Sequence, residues 1–215
     1  MSSITVDIIN SLYDNDEFKP IIITGGHGYG KSVYAMKVAA QVLSANGNPN
    51  WSAVKDNIVF HPKEFLKLAT SQRKRRPLLI WDDAGYWLNA LDFNNPFVKS
   101  VGKYLQVVRS DYGCIIFTCI DVDDVLKKVR GISNSVMIKI IKDSDATKPH
   151  RRIARGYRYW KSPDGSRFGR RTIFEEHFNK RMPDDVYNEW YRPLRNSYAK
   201  QAKSLMVKHL DKLDK

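Results

Sequence analysis

A glycine-rich octapeptide, Gly25-Gly26-His27-Gly28-Tyr29-Gly30-Lys31-Ser32, stands between two segments of different periodicity. Before it lies Pro20-Ile21-Ile22-Ile23-Thr24, a β-branched apolar run suited to a buried strand. After it, over residues 32–43, Val33, Met36, Val38, Ala39, Ala40 and Leu43 predict a helix with an apolar face. The octapeptide fits G-x-x-x-x-G-K-[ST], and strand, glycine loop and helix in that order are the context the pattern requires. Glycines let the backbone take positive φ and turn its N–H groups inward around phosphate oxygens. The helix N-terminus adds a positive dipole end. Lys31 can reach the β- and γ-phosphates of a nucleotide, and the Ser32 hydroxyl can ligate Mg²⁺. The expected nucleotide-binding set is therefore Gly25, Gly26, His27, Gly28, Tyr29, Gly30, Lys31, Ser32 and Val33. His27 and Tyr29 fill free positions of the loop, as solvent-facing spacers or as contacts to base or ribose.

Further apolar runs alternate with helical patterns. Strands are expected at residues 57–60, 78–82, 114–119 and 136–141, and helices at 63–70, 97–109 and 121–129, the last capped by Asp121. Residues 1–19 read as a short helix or strand, and 45–50 as a loop. Five apolar strands alternating with helices make an α/β domain with a mainly parallel sheet. Beyond residue 146 the character changes. Residues 153–160 and 168–174 flank Ser162-Pro163-Asp164-Gly165, a good turn sequence, and predict a β-hairpin. A helix starts near Pro183, is broken or restarted at Pro193 and continues to residue 213. The expected organisation is a core over 1–146 and a basic region of hairpin and helices over 147–215.

Charge separates the same two parts. Residues 1–126 carry 13 Lys/Arg and 13 Asp/Glu, whereas residues 127–215 carry 23 against 10, so the whole net charge of +13 lies in the second part. Such asymmetry points to a polyanion-binding end, with a solubilising basic surface as the plainer reading. An apolar content of 42% suits a globular core, and no apolar run approaches the ~18 residues of a membrane span. Asp7 interrupts the apolar residues near the N-terminus, so no secretory signal is expected. Cys114 and Cys119 form neither a disulfide framework nor a zinc pattern, and the five histidines are scattered. A cytoplasmic location is expected, host cytoplasm if the chain is viral.

Leu78-Leu79-Ile80-Trp81-Asp82-Asp83 is an apolar run ending in two acids. It resembles a Walker B element, in which Asp82 holds Mg²⁺ at the strand end and Asp83 orients the attacking water. Asp83 is one methylene shorter than the glutamate common there, and capping the next turn is its other reading. Ile115-Ile116-Phe117-Thr118 ends in a small polar residue that is either a sensor of the γ-phosphate or an ordinary strand-end threonine. With the glycine loop, these elements make residues 20–141 resemble the additional-strand (AAA+/RecA-like) P-loop ATPases. The resemblance implies a RecA-like P-loop NTPase fold, a five-stranded sheet in the order 5-1-4-3-2, and Mg²⁺-dependent ATP hydrolysis in a homo-oligomer. The Asp82-Asp83 ending is similar to initiator and helicase-loader ATPases. Arg109-Ser110-Asp111-Tyr112-Gly113, Ile120-Asp121 and Pro183-Asp184-Asp185-Val186-Tyr187 resemble Zot-type and FtsK–HerA-like motors. The size resembles small ATPases of archaeal viruses and plasmids. No clear helical lid is present, which leaves a second sensor arginine unassigned. Arg109 and Arg130 are the candidates for an arginine finger acting in trans, and equally for cations at helix C-termini.

Arg151, Arg152, Arg155, Arg158, Arg167, Arg170 and Arg171 are interleaved with Tyr157, Tyr159, Trp160 and Phe168. Cations bind phosphates and aromatic rings stack on bases, so this hairpin is the expected nucleic-acid surface, without base-reading specificity. Alternatively its aromatics pack on the core and its arginines face water. The reading is an ATPase acting on DNA, in replication initiation, helicase loading or translocation. The alternatives are an assembly, secretion or packaging ATPase with a protein partner, and a slow nucleotide-dependent switch.

Overall fold

The run before the glycine loop forms β1 (Lys19–Thr24), with its four central residues buried. It lies between β4 (Tyr112–Thr118) and β5 (Val136–Lys142), parallel to both. β3 (Arg76–Trp81) extends the parallel sheet beyond β4, and the two-residue β2 (Ile58–Val59) closes that edge. Strands buried on both faces read as continuous apolar runs, which is why these were visible in the sequence. Ile21, Ile22, Ile23, Leu78, Leu79, Ile80, Ile115, Ile116 and Phe117 are all inaccessible to solvent. This computed structural model describes residues 3–213 except 45, 72, 93, 126–128, 130–134, 146, 163 and 165.

Helices α1 (Ile4–Asp14), α2 (Lys31–Val42), α3 (Trp51–Lys55), α4 (Pro62–Ser71), α5 (Ala84–Trp87) and α6 (Pro96–Tyr104) join and flank the strands. α3 falls where no element was expected; the Asn50 side chain starts it by accepting from the Ala53 N–H at 3.0 Å. α6 is capped by Asn95, which accepts from the Phe97 N–H at 2.9 Å. It stops at Tyr104 rather than at 109. The chain then passes through a 3₁₀ turn, Val108–Ser110, while Val101, Leu105 and Val108 still reach the core. The helix expected over 121–129 is a 3₁₀ turn at Val122–Asp124, capped by Asp121 as foreseen. Its remainder falls largely outside the described residues.

The hairpin corrects the sequence reading. β6 (Arg151–Lys161) pairs antiparallel with β5, and β7 (Phe168–Asn179) with β6. The sheet has seven strands in the order β2-β3-β4-β1-β5-β6-β7, not five, and the hairpin is part of it rather than an appendage. The physical reason is the outer edge of β5, whose unpaired N–H and C=O groups β6 covers. Two compact units result, Met1–Lys180 and Arg181–Lys215, so the division falls after the hairpin and not at 146. The second unit is a π-helical turn, Asp185–Tyr191, running into the helix Arg192–Leu213 across Pro193.

A carboxylate fastens the hairpin to the helices. Glu176 of β7 accepts from Ser3 Oγ at 2.6 Å and from the Thr5 N–H at 3.0 Å. It thereby caps α1 from outside, at the end where the helix dipole favours an anion. The Tyr34 hydroxyl of α2 also donates to it at 3.0 Å. Burial and this carboxylate together push the Tyr34 phenol well above its ordinary value.

Gly156 of β6 faces Phe174 of β7 beside a register shift, and a Cβ there would stand 2.2 Å from the ring. Gly156→Ala is therefore expected to destabilise the fold by about 1–3 kcal/mol, the usual cost of overpacking. Chemical denaturation reads this as a lower midpoint, and an unchanged midpoint would show that Phe174 can swing away.

Candidate nucleotide site

At the carboxyl ends of the parallel strands, the loop Gly25–Gly30 leaves β1 and enters α2. Gly25, Gly28 and Gly30 have φ of 144°, 70° and 99°, so the backbone turns where side-chain-bearing residues are strained. Gly25 also lies against β5: a Cβ on it would stand 2.7 Å from the Ile140 carbonyl oxygen. Gly25→Ala should push the loop off β5, with about 1–3 kcal/mol lost in stability. Gly28, with open space around it, should tolerate alanine better. Equal denaturation midpoints of the two variants would contradict this.

Lys31 is the first residue of α2 and is buried at 8% exposure. Its ammonium donates to the carbonyls of Gly25 at 2.8 Å and Gly26 at 3.2 Å, so the side chain curls back inside its own loop. Ser32 and Val33 follow in the first turn, half-buried, and His27 is exposed. Tyr29 is half-buried. Its ring lies about 3.0 Å from where a Gly26 Cβ would be, with the Lys142 ammonium 5.3 Å from its centroid.

The ends of β3 and β4 supply the other half. Trp81 and Phe117 are register partners, so the residues that follow them, Asp82 and Thr118, meet side by side. The Thr118 hydroxyl donates to Asp82 Oδ1 at 2.6 Å, and its oxygen accepts from the Asp83 N–H at 2.8 Å. Asp82 and Thr118 are fully buried, whereas Asp83 is exposed. Asp83 takes φ 51° and ψ 35°, a left-handed conformation at which aspartate is tolerated, and it opens α5 without its side chain capping that helix. Gly85 allows the start of α5 to pack closely on the end of β4: a Cβ there would meet Cys119 at 3.0 Å and Asp124 at 3.1 Å. Burial, then Asp124, pushes the Cys119 thiol up to about 12, partly offset by Lys31, so this cysteine is a packing residue.

Other expected site residues lie elsewhere. Arg109 precedes β4, at the opposite end of the sheet, about 20 Å from Thr118 by strand rise. It lies 3.9 Å from Asp16, and its carbonyl accepts from Arg75. It cannot reach the loop of its own chain, and a finger role for it requires a second copy. Arg130 lies outside the described residues. The hairpin arginines are not one surface. Arg151 pairs with Asp143 at 3.0 Å, Arg155 pairs with Glu175, and Arg152 is buried at 5% exposure. Arg167, Arg170 and Arg171 are exposed and Arg158 is half-buried, toward the hairpin tip with exposed Tyr159 and Trp160. Because Arg158 pairs with Val136 at the start of β5, that tip lies at the end of the sheet away from the loop.

The described fold and its glycine loop define an α/β class consistent with a P-loop NTPase architecture. No family model matches the chain. It is 32% identical over 130 residues to Uncharacterized protein B-251 of Sulfolobus spindle-shape virus 1, covering 57% of this chain and 51% of the relative. The chain thus spans about half the length of that curated relative. Among solved structures, the N-terminal domain of zonular occludens toxin from Neisseria meningitidis is 14% identical, with a TM-score of 0.46 over 80% of this chain and 97% of that one. Among the described residues no helix is long and apolar enough to cross a membrane.

Proposed function

We propose that this chain is a Mg²⁺-dependent ATP-binding protein that hydrolyses ATP. The observation that carries the reading is the meeting, at one end of the sheet, of a lysine-bearing glycine loop and the Asp82–Thr118–Asp83 cluster. The residues suit the ligands. The loop has three positive-φ glycines and a buried ammonium resting on carbonyl oxygens, partners that a phosphate can replace. Among the described residues no group of three or more His, Cys, Asp or Glu is placed to cage a metal. Mg²⁺ needs no such cage, because it takes one or two protein oxygens and completes its shell with water and substrate phosphates. Ser32 and Asp82 are the two protein ligands in this reading. When bound, the ion neutralises charge that develops on the phosphate oxygens.

The chain's own residues do the rest. Loop N–H groups and Lys31 hold the β- and γ-phosphates. Thr118 fixes the Asp82 carboxylate and, through the Asp83 N–H, the turn that carries the Asp83 carboxylate toward an attacking water. That water's oxygen bonds to the γ-phosphorus as the bond to the β–γ bridging oxygen breaks, so ADP and inorganic phosphate leave and the water's proton passes to the departing phosphate. Asp83 in place of glutamate has a shorter reach, which favours slow turnover and keeps a nucleotide-dependent switch as the second reading. Phosphate release from ATP, with and without chelation of Mg²⁺, tests the proposal. No release and no nucleotide binding by the native chain would remove it.

For the partner we propose nucleic acid on the outer half of the hairpin, where exposed Tyr159 and Trp160 stand among Arg158, Arg167, Arg170 and Arg171. Such binding should weaken linearly in log–log salt plots, at about −0.9 per duplex phosphate neutralised, and Arg170→Ala with Arg171→Ala should each flatten the slope by about that amount. A salt-independent affinity, or stimulation of turnover by protein alone, would shift the reading to an assembly or secretion ATPase.

A further inference from the structure

Three cations gather beside the glycine loop, on the side of β1 away from Asp82. Lys142 ends β5, Arg152 is its direct partner on β6, and Phe178 is the partner of Arg152 on β7. Direct partners share a face of the sheet, and Lys180, two residues beyond Phe178, continues it. The Lys180 N–H still donates to the His150 carbonyl at 2.9 Å, so the ladder reaches that far.

This face abuts the loop. Phe178 packs on Tyr34 of α2 with ring centroids 4.9 Å apart. A Cβ on Gly30 would stand 3.1 Å from the Lys180 Cβ and 3.7 Å from the Phe178 ring. The Lys142 ammonium lies over Tyr29, in the middle of the loop. None of this was foreseen for Lys142 or Lys180, although Lys142 ends a strand beside the loop, as Asp82 and Thr118 do.

The cluster carries charge that the protein leaves uncompensated. Among the described residues none of the three forms an ion pair. Nearby acids are engaged elsewhere: Asp143 with Arg151 and His177, Glu175 with Arg155, Glu176 with Ser3, Thr5 and Tyr34. Arg152, 5% exposed, donates through Nη1 to the Pro149 and Arg151 carbonyls, and its buried Nε has no hydrogen-bond partner. Burial, then Arg152 and Lys142, holds the Lys180 amine below its ordinary value. Arg152 is buried, Lys180 half-buried and Lys142 exposed, and a buried cation beside like charges is costly unless an anion joins it.

Position says which anion. Asp82 and Thr118 end β3 and β4 and mark the γ-phosphate side of the loop. β5, β6 and β7 lie across β1 from them, so a triphosphate whose γ end faces Asp82 and Thr118 turns its other end toward these strands. We infer that Lys142, Arg152 and Lys180 form a second anion site, for the α-phosphate of a nucleoside di- or triphosphate seated in the loop. This rests on the nucleotide reading above.

The test is calorimetric titration of the full chain and of the Lys142→Gln/Lys180→Gln variant, which keeps both side-chain stems, with ATP, ADP and inorganic pyrophosphate. ATP and ADP should each bind about tenfold more weakly, the scale of one charge-assisted hydrogen bond, while pyrophosphate, which has no α-phosphate, binds as to the native chain. If Lys31→Ala loses nucleotide while the double glutamine variant binds ATP and ADP as the native chain does, this inference fails and the nucleotide reading stands. If the variant instead loses affinity for a single-stranded oligonucleotide with its ADP affinity intact, the phosphate belongs to a polynucleotide and the inference also fails. A native chain that binds no nucleotide sinks both.

Discussion

Lys31→Ala is expected to lower ATP turnover by about 10²–10³, the loss typical of removing one preorganised charge stabiliser, and to weaken ATP binding with it. Stability should move little. The Lys31 ammonium is buried at 8% exposure and rests on two loop carbonyls. Removing it forfeits those hydrogen bonds and also the cost of burying a charge, two effects of opposite sign. Lys31→Arg should fail as well, because a planar guanidinium cannot occupy the space of a compact ammonium curled beneath Gly25 and Gly26. The measurements are phosphate release, nucleotide titration and thermal unfolding on the same preparations. Turnover within about threefold of native, with an unchanged thermal midpoint, would mean that the loop does not hold the reacting phosphates.

What could be read from the chain follows from how local each determinant is. The glycine loop needs only its own residues and the strand and helix that flank it. β1, β3 and β4 are largely buried on both faces and announce themselves as apolar runs, as does β5, although its Lys139 and Lys142 are exposed. Asp82 and Thr118 were recognisable as polar ends of such runs. Their hydrogen bond was not, because it joins residues 36 apart and depends on β3 and β4 being neighbours with Trp81 opposite Phe117. α3 is too short for periodicity to reveal, and it owes its start to one Asn50 side chain. The hairpin was visible but its place was not: nothing in the alternation of β6 says that its inner edge is taken by β5. That pairing divides the arginines. Arg152 goes under the sheet beside the loop, Arg151 and Arg155 go to carboxylates, and Arg167, Arg170 and Arg171 stay in solvent toward the hairpin tip. The surroundings of Tyr29 were not legible either, since Lys142, whose ammonium lies over its ring, is brought there by β5.

Thr118→Val should separate the two roles open to that hydroxyl. Valine matches threonine in shape but not in chemistry. Its oxygen gives a hydrogen bond to Asp82 at 2.6 Å and takes one from the Asp83 N–H at 2.8 Å, so the substitution removes a donor from a fully buried carboxylate and an acceptor from a strained turn. About 1–3 kcal/mol of stability should be lost, which for a chain of this size lowers the melting temperature by several degrees. Turnover should fall about 10²-fold on the proposed role of Asp83, because its carboxylate then hangs on a turn with one fewer anchor and small misplacements of a water-orienting group are costly. Thr118→Ser, which keeps the oxygen, should recover most of both. The decisive comparison is between ATP and ADP. The hydroxyl's single proton is already committed to Asp82, so a positioning role leaves the ratio of ATP to ADP affinity at its native value while turnover collapses. A selective loss of ATP affinity would mean instead that the proton turns to the γ-phosphate when nucleotide arrives, and that Thr118 reads the phosphate directly.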